Sequence, residues 1–323
     1  MDHRDGAPGG PALPTAPRLR SLSGRAVSAI IPAMFWALIR NLRPRQWVKN
    51  GFIFAALVFD GQLSQAGPFL RTLAGFVVFC LASSSVYLIN DLADLEEDRH
   101  HPVKKNRPLP SGALPVPVAR TAAVGLIVVS GLAAVSLSTG FAAIVLAYIA
   151  SNLLYSWRLK HVPIVDVFLV AAGFVLRVAA GTTLIVVERF SPWLYVCMTL
   201  LALFLALGKR RAELKLLADS AGQHRRVLDG YTIPLLDQLL VIVSSTTIMA
   251  YSLYTFSAEN LPNNHLMMLT IPFVIYGIFR YVWLAQVKDA GGAPEDLLLT
   301  DRPMLATFLL WGLAATAILY LGT

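Results

Sequence analysis

Charge is what this sequence has least of. Only 14% of its 323 residues are Asp, Glu, Lys or Arg, against about 25% in an ordinary soluble domain. With 56% of the chain hydrophobic, that scarcity argues against water as the solvent and points to lipid. Cysteine is nearly missing as well. Cys80 and Cys197 both sit in apolar stretches, so there is no disulfide framework or thiolate metal site, and each reads as a small buried hydrophobe. Acidic residues number 19 against 27 Lys plus Arg, a formal net charge of +8. Such a balance can signal nucleic acid, but here the basic residues collect in alternate loops between apolar runs, which excludes that partner.

What the chain does have is long apolar runs. Segments of roughly 17 to 25 apolar residues are needed to cross a hydrocarbon core of about 30 Å. Nine candidates lie near 46–60, 71–90, 118–138, 140–157, 163–184, 192–208, 235–256, 266–285 and 303–321. The first is short and preceded by Arg43, Arg45 and Lys49. The expectation is an all-α integral membrane protein with nine transmembrane helices. With the N-terminus in the cytoplasm, Arg99, Lys104, Lys105, Arg107, Arg158, Lys160, Lys209, Arg210, Arg211, Lys215, Arg225, Arg226, Lys288 and Arg302 fall inside, and only Arg71 and Arg189 outside. That asymmetry sets the expected orientation in the plasma membrane, N-terminus in and C-terminus out.

Ahead of the bundle, residues 1–23 are rich in Pro, Gly, Ala and Arg and are expected to form a disordered cytoplasmic tail, not a signal peptide. Residues 24–42 read as an amphipathic helix on the membrane surface, with a tenth spanning helix as the alternative; 43–323 form the membrane domain. The inner connections 91–117, 209–234 and 286–302 are long and charged, whereas the outer ones are short or weakly charged. Function should therefore reside on the cytoplasmic face. Glu188, Glu259 and Asp60 lie on the outer side and are assigned no role.

The sharpest chemical signal is Asn90, Asp91, Asp94 and Asp98 in YLINDLADLEEDRHHP, directly after an apolar run. At about 100° per residue the three aspartates fall within about 60° of one another on a helix. Like charges so placed repel, and a hard divalent cation relieves them: Mg²⁺ typically takes one or two carboxylates together with phosphate oxygens and water. The same loop closes with KKNRPLPSG. Arg107, braced by a proline, suits phosphate oxygens left free by a metal; Lys104 and Lys105 serve headgroup binding and topology equally well.

NDxxDxxxD followed by NRPLPSG, in a chain with nine apolar runs, resembles the first aspartate motif of the UbiA superfamily of intramembrane prenyltransferases. The resemblance implies a helical bundle with a cytoplasm-facing polar cavity, a lateral opening for an isoprenoid chain, and Mg²⁺ acting on a diphosphate leaving group. Most members carry a second aspartate motif after the sixth helix, where this chain has GKRRAEL, with Lys209, Arg210, Arg211 and Glu213. That segment, RPRQWVKN (Arg43 to Asn50) and PEDLLLTDR (Pro294 to Arg302) are similar to the polyprenyl-phosphate phosphoribosyltransferases within the superfamily.

This similarity implies Mg-dependent transfer of 5-phosphoribose from phosphoribosyl pyrophosphate to a polyprenyl phosphate, such as decaprenyl phosphate. The alternative is conventional prenyl transfer to a small acceptor, which needs the second acidic motif; a transporter is the other rival. On the favoured reading Asp91, Asp94 and Asp98 are catalytic, and with Asn90 they are the metal ligands. Lys209 and Arg210 meet donor phosphate, where carboxylates would repel it.

Ionisable residues inside a membrane span are costly and therefore informative. Asp166 and Arg177, eleven positions apart, share a face about 16 Å apart along the axis. Arg177 either meets a lipid phosphate or ties helices together. Lys49, Tyr155 and Lys160 line a cytoplasmic helix end as further candidates for substrate binding, although Tyr155 fits an interfacial aromatic belt equally well. Glu213, Glu295, Asp296 and Asp301 are candidate additional ligands. Self-association into a homo-oligomer stays open.

Overall fold

The computed structural model describes residues 24–100, 103–187, 191–218, 226–259, 261–262, 264–288, 292, 297–298 and 300–321, with side chains from residue 32 except at 217–218 and 226–227. The tail expected over 1–23 lies outside the described residues, as do Glu188, Arg189, Arg225, Glu295 and Asp296. All regular structure among the described residues is helical. In order come α1 (Gly24–Asn41), a 3-10 segment (Pro44–Phe54), α2 (Ala55–Phe59), α3 (Ala66–Ala93), α4 (Leu95–His100), α5 (Val116–Leu137), α6 (Thr139–Trp157), α7 (Val165–Thr182), α8 (Pro192–Ala218), α9 (Ile233–Ser257), α10 (Ile271–Val287) and α11 (Arg302–Leu321).

Eight of the nine expected spans are helices long and apolar enough to cross a membrane: α3, α5, α6, α7, α8, α9, α10 with the turn at 266–270 before it, and α11. Their ends follow local rules. Pro117, Pro192, Pro234 and Pro272 sit in first turns, where a missing N–H has no intrahelical partner to lose. Ser138 alone joins α5 to α6, and its hydroxyl accepts from Phe141 N. Thr232 caps α9 in the same way through Leu235 N, satisfying one of the orphan donors at a helix start.

Sequential helices pack as neighbours, and their buried faces form two main cores. Phe79, Phe141, Val145, Tyr148 and Ala180 join α3, α6 and α7. Phe204, Leu207, Leu236, Leu240, Ile278 and Tyr281 join α8, α9 and α10. Many apolar side chains on the outer faces are exposed, among them Leu132, Leu146, Leu269 and Leu313. That is the pattern of a bundle whose surroundings are hydrocarbon.

The first expected span is the exception. Residues 46–60 form the 3-10 segment and the five-residue α2, not a long α-helix. Side-chain anchors set this geometry. Trp47 Nε1 donates to Ser84 Oγ at 3.0 Å, Asn50 Nδ2 donates to Ser83 Oγ at 3.1 Å, and Arg177 Nε donates to Asn50 Oδ1 at 2.8 Å. Together they fasten the segment to α3 and α7, and Gly181 of α7 lets its backbone lie close. A Cβ at Gly181 would stand 2.1 Å from Ile53 O.

Gly181→Ala is expected to cost about 1–3 kcal/mol, the usual penalty for overpacking, read as a lowered apparent Tm in detergent. Gly51→Ala, whose Cβ would meet nothing within 4 Å, is the control and should leave Tm nearly unchanged. Equal shifts would mean that the close approach at Gly181 is unimportant.

Candidate active site

The acidic motif lies where α3 ends. Asp94 is the C-cap of α3, and α4 resumes at once, with Asp98 N donating to Asp94 O at 2.8 Å. Asp91 and Asp98, two turns apart, thus stay on one side. They are 3% and 2% exposed, and Arg107 Nη1 lies between them, 3.2 Å from Asp91 Oδ1 and 2.9 Å from Asp98 Oδ2. Asp91 also accepts from Arg43 Nη2 at 2.5 Å and from Asn41 Nδ2 at 3.1 Å. Lys104 Nζ is 3.4 Å from Asp98 Oδ1.

Arg43 reaches Asp91 from a left-handed backbone conformation, φ 55° and ψ 60°. Pro44 keeps Arg43 out of the right-handed helical region, but the left-handed conformation of a residue with a Cβ is strained. The ion pair offsets the local strain. Asp94 takes a different partner, Lys160 Nζ at 2.6 Å, and Asn90 Oδ1 accepts from Ser156 Oγ at 2.5 Å.

Among the described residues, no three His, Cys, Asp or Glu side chains gather closely enough to hold a metal ion. The donor set nevertheless fits Mg²⁺. Two buried carboxylates face one point, that point already holds a cationic nitrogen, and Mg²⁺ needs only one or two carboxylates when phosphate oxygens complete its shell. Beside the motif runs a groove of about 600 Å³ lined by Ile89, Ala93, Leu153, Leu154, Trp157 and the polar Ser156, Lys160 and His161. Its wall is apolar and its polar residues lie next to Asn90 and Asp94.

A second constellation sits at the start of α7. Asp166 is fully buried. It accepts from Arg210 Nε at 2.5 Å and from Tyr231 OH at 2.6 Å. Arg210 further donates to Glu213 and, through Nη2, to Tyr155 OH at 2.9 Å. Tyr231 also accepts from Ile164 N at 2.6 Å. Ile164 has φ 69° and ψ −49°, close to the strained γ-turn, and Val165 N closes that turn on Pro163 O at 2.8 Å. Burial first, and then the bond to Asp166, push the Tyr231 hydroxyl pKa up, so it remains a neutral donor.

The two constellations meet at α6, where Tyr155 touches Arg210 and the adjacent Ser156 touches Asn90. The loops after α3 and along the end of α8 therefore converge on one helix end. Arg177 stands apart. It is buried and donates to Asn50, Gly173 O and Tyr148 OH, with its guanidinium over the rings of Phe79, Tyr148 and Phe174. These contacts join α7 to α6, α3 and the 3-10 segment.

Lys209 is exposed and Lys49 half-buried, whereas Arg210 and Arg211 turn inward. Arg211 Nε donates to Asp237 at 2.6 Å. Asp301 accepts from Arg280 Nη2 at 2.8 Å and caps α11 through Met304 N; the Arg280 bond lowers its carboxyl pKa. Asn41, Arg43, Ser156, Tyr231 and Asp237 join these networks without having been singled out from the sequence as site residues.

Tyr231→Phe removes partners from both Ile164 N and Asp166. It should lower stability by about 1–3 kcal/mol, the cost of stranding buried polar groups, measured as apparent Tm in detergent. An unchanged Tm would show that the turn at Ile164 holds by itself.

Comparison with known proteins gives a consistent relationship. The UbiA prenyltransferase family matches residues 50–297. Decaprenyl-phosphate phosphoribosyltransferase from Mycolicibacterium smegmatis is 38% identical over 292 residues, 85% of this chain and 89% of that protein. The enzyme of that name from Corynebacterium glutamicum is 35% identical, over 85% of this chain and 84% of its own length. A UbiA homolog from Archaeoglobus fulgidus, solved bound to GPP and Mg²⁺, superposes with a TM-score of 0.68 at 20% identity, covering 88% of this chain and 99% of that one. By sequence and by fold, this integral membrane protein belongs to the UbiA prenyltransferase family.

Proposed function

We propose that the chain transfers 5-phosphoribose from phosphoribosyl pyrophosphate to a polyprenyl phosphate and releases pyrophosphate. Its kinship with decaprenyl-phosphate phosphoribosyltransferases over 85% of its length supports this reading. The observation that carries it is the cationic character of the site. Asp91, Asp94 and Asp98 are met by Arg43, Lys104, Arg107 and Lys160, and the end of α8, where most of the family carry further carboxylates, has Lys209 exposed and Arg210 and Arg211 turned inward onto Asp166, Glu213 and Asp237. Such a surplus suits a donor and an acceptor that both bring phosphate.

Asp91 and Asp98, with Asn90 and Asp94 beside them, would hold Mg²⁺. When bound, the metal supplies charge neutralisation for the departing pyrophosphate. An oxygen of the acceptor phosphate attacks the anomeric carbon of the donor as the bond from that carbon to the pyrophosphate oxygen breaks, its electron pair leaving with pyrophosphate. No general base is needed, because the acceptor is already an anion at neutral pH. Arg43, Arg107 and Lys104 orient donor phosphate, so catalysis is positioning and charge stabilisation. The groove between α3 and α6 receives the isoprenoid chain, with Lys160 at its polar end meeting the lipid phosphate. This face is assigned to the cytoplasm, with the N-terminus inside and the C-terminus outside.

Purified protein incubated with labelled phosphoribosyl pyrophosphate, polyprenyl phosphate and Mg²⁺ should move label into the lipid extract. Label remaining wholly aqueous would refute the assignment. Asp91→Asn is expected to slow transfer by at least about 100-fold, the scale on which one charge-stabilising group acts. Lys160→Ala should raise KM for the lipid about tenfold or more, since a hydrogen bond to a charged group contributes about 1.5–3 kcal/mol. If KM for the donor rose equally, Lys160 would not be the acceptor's contact.

A further inference from the structure

Arg107 occupies an unusual position. A single guanidinium nitrogen carries two hydrogens, and in this site they serve two different carboxylates, Asp91 and Asp98. Each carboxylate has a second cation, Arg43 on Asp91 and Lys104 on Asp98. Two negative charges are thus answered by three positive ones before any metal arrives. Like charges a few ångströms apart repel, and a divalent ion beside the guanidinium repels it about twice as strongly as a univalent one would. Arg107 thus stands where a metal bridging Asp91 and Asp98 would sit, and an incoming phosphate anion is the kind of partner that can take the guanidinium over.

The surrounding structure separates what is fixed from what moves. The carboxylates are 3% and 2% exposed, whereas the Arg107 side chain is 35% exposed. Its backbone is braced. Arg107 N donates to Lys104 O at 2.9 Å, Ser111 N to Arg107 O at 3.0 Å, and Leu114 N to Pro108 O at 2.8 Å. Only the side chain has room to swing.

We propose that Arg107 is a place-holding cation that makes metal binding conditional on an anionic diphosphate. Metal and donor enter together, and Arg107 passes from the carboxylates to phosphate oxygens as they do. The inference rests on the reading of Asp91 and Asp98 as metal ligands. It adds an order of binding: metal alone does not load the site, and by reciprocity the diphosphate binds more tightly with metal than without.

Mn²⁺ provides a spectroscopic probe, because bound ion loses the sharp electron paramagnetic resonance signal of free ion. The full chain in detergent is titrated with Mn²⁺, with and without inorganic pyrophosphate, and an Asp91→Asn, Asp98→Asn double variant supplies the background from the Mn²⁺–pyrophosphate complex itself. The wild-type protein should bind Mn²⁺ at least about tenfold more tightly with pyrophosphate, within the ordinary range for coupled ligands. Arg107→Gln should bind Mn²⁺ alone about tenfold more tightly than the wild type and gain less from pyrophosphate. Arg107→Lys, which keeps the charge, should stay near the wild type, and unchanged gel-filtration profiles check that each variant is folded.

Equal wild-type affinity with and without pyrophosphate, or no gain in Arg107→Gln, overturns the proposal. If neither the wild type nor Arg107→Gln exceeds the double variant under any condition, the aspartates are not metal ligands. That result defeats the underlying assignment, not merely the order of binding.

Discussion

Charge buried inside the bundle has to be answered from within the protein, because a packed interior offers neither counter-ions nor water. Asp91, Asp98, Asp166, Arg177, Arg210 and Arg211 are all almost inaccessible, and each is met by specific partners. Most are met by opposite charge. Arg177 is met by neutral oxygens and three aromatic faces instead, a softer compensation that draws on ring quadrupoles. Breaking such a pair strands a charge, which is far more costly than never having buried it. The helix ends are therefore held by their ionisable groups as much as by the apolar cores.

This constraint links fold and chemistry. The 3-10 segment stays in place because Arg177 holds Asn50 and Gly181 lets the backbone approach. That position sets the course of the chain from α1 through the bend at Arg43, which delivers a guanidinium to Asp91. On the other side, the γ-turn at Ile164 fixes the start of α7 and so the place of Asp166, which aligns Arg210. Strain of this kind persists only where surroundings over-determine it, and here Tyr231 supplies the restraint.

Much of the fold was legible in the sequence, since eight apolar runs of spanning length became helices near their expected bounds. The acidic motif and its basic companion were legible too, because Asp91, Asp98 and Arg107 lie within one loop and its flanking turns. What escaped depends on pairs far apart in the chain. Asn50 meets Arg177 across 127 positions and Tyr231 meets Asp166 across 65, and no local pattern announces either. The run Lys209, Arg210, Arg211 shows the same limit. α8 is apolar all around before it, so nothing in the spacing says that the first side chain turns out while the next two turn in.

Tyr155 and Ser156 are consecutive on α6, yet one grips the Asp166–Arg210 group and the other grips Asn90. About 100° of helix separates their directions, so α6 acts as a crankshaft with two throws. A twist that slackens one grip drags on the other. Occupancy of the groove beside Ser156 and Trp157 would accordingly be felt at Arg210 without any ligand reaching it.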